Sequence, residues 1–257
     1  MYYKELLRVL RALKNMAILY VVIDVVSAAL IIAADAQGHL SLPGPSEHVQ
    51  IPLAILFAIC SFAALFPATA YGCSLAAEND GHLALAWTKP ASRVQYALTV
   101  MLVDVVGILA AFALTFVLLL LPQLAMVGML RYVSAGPTLA LEALRQLALP
   151  LAWFALCQAL TAGLRGNARM VVGISMLPAF VLGALASAPL PGAWHQAFHT
   201  LAFIDPLAYF VGFEVSDGGA RTSNLLTVAL PLADAMLIGL LVVYAAAAIF
   251  QWRRLEA

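Results

Sequence analysis

Charge is scarce in this chain. Only 10% of its 257 residues are charged, against roughly a quarter in soluble domains, and 13 basic residues balance 13 acidic ones. Neither sign is in excess, so nothing points to nucleic acid. There is no Gly-x-x-x-x-Gly-Lys-Ser/Thr phosphate loop, which excludes P-loop ATP binding by this chain alone. Neither a Gly-x-Ser-x-Gly elbow nor a His-Glu-x-x-His pair occurs, which argues against a membrane enzyme. The three cysteines, Cys60, Cys73 and Cys157, all lie in apolar runs. There they read as small buried hydrophobes and not as a disulfide framework or a metal motif. The alternating pattern of a membrane barrel is missing, and no internal repeat relates the two halves.

What is abundant is apolar sequence: 64% of residues are hydrophobic and the mean hydropathy is +0.98. Runs of about 20 apolar residues separated by short polar islands predict membrane-spanning helices, because backbone in lipid must satisfy its hydrogen bonds within the segment. The expected class is therefore all-α, one polytopic membrane domain over residues 1–257 with six transmembrane helices.

Residues 1–15 place Tyr3, Leu6, Leu7, Leu10 and Leu13 on one helical face and Lys4, Arg8, Arg11 and Asn15 on the other. That pattern predicts an interfacial amphipathic helix with its basic side toward anionic headgroups. The spans follow at 16–34, 51–75, 94–121, 139–164, 170–188 and 224–250. The first exceeds the 7 to 15 residues of a signal-peptide core and carries Asp24, so it reads as retained despite the A-x-A sequence at Ala34 to Ala36. Pro122 closes the third span, and 189–223 forms an outer segment too interrupted to cross. A small-residue stripe, Ala179, Gly183 and Ser187, marks the fifth.

Six spans put both termini on one side. With the N-terminus inside, ten Lys and Arg, from Lys4 to Arg254, face the cytoplasm and only Arg131, Arg145 and Arg221 face outward. This is the positive-inside pattern of a plasma membrane, or an inner membrane in a bacterium.

Asp24, Asp104 and Asp234 fall within spans, where ionisable groups are functional candidates by default. With no Lys or Arg partner expected inside the spans, they read first as protonated or hydrogen-bonded to Ser, Thr or Tyr. Asp24 and Asp104 are equally far from the starts of their helices and are expected at similar depth. His195 and His199, spaced i, i+4, share a helix face; Trp194, Phe198 and Leu201 form the apolar one. Two histidines without a third ligand make a weak metal signal.

The polar island at 76–93 joins the second and third spans on the inner side. Asp80 is a good N-cap, Leu83 to Thr88 supplies a short apolar helix, and Pro90 discourages its continuation. Glu78, Gly81, Leu83, Pro90, Ser92 and Arg93 resemble the cytoplasmic signature of the ABC type-2 permease family, with His82 where that family usually has Thr and Ala84 where it often has Glu. The resemblance implies a coupling helix that docks on a separate ATPase, with Trp87 as a docking side chain. Asp205-Pro206-Leu207-Ala208-Tyr209 looks like a second motif of the family, although Glu214 and Val215 stand near where its Arg would be. That motif implies short outer helices that dip into the membrane and cap a path, with Trp194, Phe198, Asp205, Pro206 and Tyr209 as the lid.

By this resemblance the chain is expected to be the permease subunit of an ABC exporter. It would not be an enzyme, would hold no cofactor itself, and would pair with a second permease copy or homologue. ATP and Mg would be bound by the partner ATPase. The alternative is a proton- or ion-coupled carrier using Asp24, Asp104 and Asp234.

Overall fold

The computed structural model describes residues 2–36, 51–73, 93–161, 179, 181–186, 188, 191–216, 219–224 and 230–254. Its principal helices are α1 (Tyr2–Ala36), α2 (Leu53–Gly72), α3 (Arg93–Leu114), a π-helical turn (Thr115–Leu120), α4 (Leu121–Met126), α5 (Leu139–Thr161), α6 (Gly192–Ala202) and α7 (Leu230–Arg254). Five stretches are long and apolar enough to cross a membrane, at 5–34, 53–72, 95–126, 139–161 and 231–251. The protein is thus a helical, multi-pass membrane protein. The predicted span at 170–188 lies mostly outside the described residues, of which 181–186 are helical.

Two boundaries differ from the sequence reading. Residues 1–15 were expected as a separate interfacial helix, but α1 runs unbroken from Tyr2 to Ala36. No Gly or Pro interrupts it, and at 1.5 Å per residue it is about 52 Å long, beyond the roughly 30 Å of a hydrocarbon core. The third span does not stop at Pro122, because the π-helical turn shifts the hydrogen-bond register and leaves Pro122 in the first turn of α4, where a missing N–H costs little.

Strands also occur in a fold expected to be all-α. Ile51 and Pro52 (β1) bridge in parallel to Val133 and Ser134 (β2). Val211–Ser216 (β3) and Gly219–Asn224 (β4) form an antiparallel hairpin, with Ser216 paired to Gly219.

α2 is the centre of the first core cluster. Its Cys60, Ala64, Leu65, Ala68 and Tyr71 pack with Ile108 and Phe112 of α3, Trp153, Phe154 and Cys157 of α5, and Val9 of α1. Trp153 donates its indole N–H to Thr69 Oγ1 at 2.7 Å, and Thr69 in turn donates to the Leu65 carbonyl at 2.8 Å. The successive contacts from Thr69 to Trp153, from the Tyr71 carbonyl to Gln158 and from the Gly72 carbonyl to Thr161 ascend together, so α2 and α5 run parallel. A Cβ at Gly72 would sit 2.5 Å from that of Cys157, so the absence of a side chain there is what lets the two helices close.

A second cluster joins α5 to α7. It is rich in alanine, with Ala148, Leu149 and Ala152 facing Ala233 and Leu237 around Ala186, Ala202, Ala208 and Tyr209.

Candidate functional site

The segment after Pro191 turns back into the bundle. α6 ends at Ala202, Asp205 breaks the helix, and Pro206–Tyr209 makes one 3-10 turn. Asp205 Oδ1 accepts from the Leu207 N–H at 3.0 Å, which starts the turn, and Pro206 lacks the N–H that would otherwise need a partner there. The carbonyls left over at the end of α6 find hydroxyls: Tyr209 donates to Phe203 O at 2.9 Å, and Tyr244 of α7 donates to Ile204 O. In an apolar setting each such carbonyl would otherwise stand unsatisfied, at a cost of about 1–3 kcal/mol.

Depth follows from what the turn touches. Ala208 and Tyr209 are buried with Ala148, Leu149 and Ala152, and Phe210 meets Phe62 of α2 edge-on at 6.3 Å. Those partners lie about 14–20 Å along α5 and α2 from the helix starts, at 1.5 Å per residue. The turn is therefore seated at mid-helix level. Asp205 is buried there at 3% exposure, and its Oδ2 has no hydrogen-bond partner among the described residues. Burial pushes its carboxyl up to about 6, opposed by the Leu207 N–H.

The five residues expected to form a lid separate into two groups. Asp205, Pro206 and Tyr209 are buried in the turn. Trp194, 64% exposed, stacks on Phe198 at 6.1 Å on the outer surface of α6. His195 and His199 do share a face, with rings 6.0 Å apart, but no group of three metal-ligating side chains occurs among the described residues.

The intramembrane carboxylates correct the sequence reading. Two of the three are ion-paired. Arg8 Nη2 lies 2.5 Å from Asp104 Oδ1 and 3.1 Å from Glu5, with its guanidinium 5.7 Å from the centre of the Tyr71 ring. Arg145 forks onto Asp234, Nε to Oδ1 and Nη2 to Oδ2, the latter at 2.8 Å. Asp24 instead accepts from Gln123 Nε2 at 2.8 Å. Arg8, expected among headgroups, faces the bundle; Arg11, Lys14 and Asn15 are exposed.

Equal depth for Asp24 and Asp104 is also wrong. Arg8 meets Asp104, Tyr20 shares a 2.9 Å hydrogen bond with Thr115, and Asp24 meets Gln123. These pairs ascend together, so α1 runs parallel to α3 and α4, and about 24 Å of helix separates Asp104 from Asp24. The two cannot form one relay. α1 is only 6% buried along its apolar window, so these polar pairs are its chief specific attachments, as expected where lipid removes the hydrophobic drive between helices.

Of the predicted coupling residues, Glu78, Gly81, Leu83, Trp87 and Pro90 lie outside the described residues, and Arg93 opens α3. The positions α2 and α3 present to that segment are thus fixed at Cys73 and Arg93. Sequence reasoning missed Arg8, Gln123 and Arg145 as partners. No protein-family model and no curated protein matches the chain.

Proposed function

We propose that this chain is the permease subunit of an ABC exporter of the type-2 kind, with both termini cytoplasmic and six spans, working as a dimer with a second copy or a homologue. In this reading residues 76–93 dock on a separate ATPase that binds ATP and Mg, and Glu78, Gly81, Leu83, Trp87, Pro90 and Arg93 make the contact. The observation that carries it is the turn at Asp205–Tyr209, tucked at mid-helix level against α5 and α7. A re-entrant cap of this kind, placed just before the last span, is what the Asp-Pro-Leu-Ala-Tyr resemblance implies.

A mechanical route exists for coupling. The segment 76–93 lies between the end of α2 and the start of α3, and α2 touches both α5, through Thr69 and Trp153, and the turn, through Phe62 and Phe210. Closure of the ATPase pair against 76–93 would displace α2 and α3 as rigid bodies, and their contacts would move α5 and the turn between capped and open arrangements. The alternative of a proton- or ion-coupled carrier is disfavoured, because Arg8 and Arg145 neutralise two of the three carboxylates it would use.

The test is purification of the tagged chain from its native membrane. A P-loop ATPase should accompany it, with hydrolysis that responds to lipid or amphipathic compounds in proteoliposomes. Recovery of the chain without any ATPase under conditions that keep membrane complexes intact contradicts the reading.

A further inference from the structure

Cys73 caps the C-terminal end of α2 and packs in one core cluster with Cys157 of α5, whose thiol draws the Cys73 thiol down from its ordinary pKa. Neither is in a disulfide and both are buried, at 3% and 0% exposure. They lie beside the close crossing of α2 and α5 at Gly72. A side chain at Gly72 would come within 2.5 Å of Cys157 Cβ and 3.2 Å of the Phe154 carbonyl. Gln158 and Thr161 bond to the Tyr71 and Gly72 carbonyls at the same level, which holds the two helix ends in fixed register. Two thiols packed in one core cluster, one of them the next residue after that close approach, are placed for a disulfide. The sequence reading of the three cysteines as small buried side chains holds for all of them.

We propose that Cys73 and Cys157 form a peroxide-reactive dithiol, a modification site that closes to a disulfide and locks α2 to α5. The oxidant is hydrogen peroxide or another small hydroperoxide. The Cys73 thiolate attacks one peroxide oxygen, the O–O bond breaks, hydroxide leaves, and Cys73 becomes a sulfenic acid. Cys157 sulfur then displaces the hydroxyl, its proton leaves with that oxygen as water, and the S–S bond forms. Two thiols have lost two electrons in all, and the peroxide has been reduced to two waters. Reduction by a dithiol reverses the step.

The consequence for function rests on the exporter reading, because Cys73 immediately precedes the proposed coupling segment. A bond from Cys73 to α5 would make α2 and α5 move as one body, so oxidation would change the transport rate and dithiothreitol would restore it.

The chemistry is tested separately from transport, on the full chain in proteoliposomes. Exposure to limiting hydrogen peroxide, followed by alkylation and peptide mass spectrometry, should give an intramolecular Cys73–Cys157 disulfide with Cys60 still alkylated. Dithiothreitol should return all three thiols. In Cys73→Ala the oxidation of Cys157 should slow at least tenfold, to the rate of Cys60, whereas in Cys157→Ala Cys73 should still lose its thiol but stop at sulfenic or sulfinic acid with no intramolecular disulfide. Equal oxidation of Cys60, or oxidation of Cys73 that passes to sulfinic acid while Cys157 stays reduced, overturns the proposal. If the disulfide forms and no ATPase is ever found with the chain, the dithiol stands and the exporter reading fails.

Discussion

Asp205 is the residue whose charge state the fold constrains most clearly. Its folded-state pKa of about 6 lies above the roughly 3.9 of an unfolded aspartate. The tucked turn is therefore most stable below about pH 4, loses stability as pH rises toward 6, and is level above that. Asp205→Asn keeps an oxygen for the Leu207 N–H and should abolish this dependence. Limited proteolysis or cysteine accessibility of 203–209 between pH 4.5 and 7.5 measures it, and an unchanged slope in the mutant would remove Asp205 as its source. The Arg145 and Asp234 side chains are 10% and 22% exposed, so Arg145→Met alone should cost about 2–3 kcal/mol, less than the 3–5 kcal/mol of a fully buried pair broken on one side. Arg145→Met with Asp234→Leu should recover most of it, read as thermal unfolding in detergent. Additive losses would mean that the pair does not interact. Neither partner was legible from sequence. Asp104 finds Arg8 from 96 positions away, and which side chain meets which depends on how α1 docks, which local pattern does not encode.

At the scale of elements, apolar length alone located the five spans found among the described residues, since lipid leaves a long apolar segment little choice but helix. The boundaries were less legible. Pro122 signals a stop only if the preceding turn is α, and here it is π. The hairpin at 211–224 did leave a mark, because Asp217-Gly218 is a favoured two-residue hairpin connection, but in an apolar chain its polarity reads simply as loop. The re-entrant turn is the element with the clearest division of labour. Tyr209 is 2% exposed and holds the Phe203 carbonyl, so Tyr209→Ala should cost about 3 kcal/mol and release 203–209 to protease. Phe198→Ala, on the outer surface, should leave stability within about 0.5 kcal/mol. Equal losses would mean that the turn is not separately anchored.

For the whole molecule, five helices are of membrane length, with α2 packed between α3 and α5 and α7 packed on α5, and the expected alternation of direction agrees with α1 parallel to α3 and α2 parallel to α5. Orientation rests on the charge asymmetry. Single cysteines at Ser41 and Ser92, in a chain lacking the native three, should be labelled by an impermeant thiol reagent from outside and inside respectively; labelling from one side only would remove the six-span topology. The central claim is that residues 76–93 couple this chain to an ATPase, and Trp87 is the side chain in that segment best able to fill a pocket on a partner. Truncating such an anchor typically costs about 2 kcal/mol or more of binding, whereas Trp serving only as a membrane-interface anchor would cost the complex nothing. The deciding measurement is the amount of ATPase that co-purifies with Trp87→Ala, at equal membrane insertion. The account predicts a loss of about tenfold or more, and wild-type recovery would contradict it.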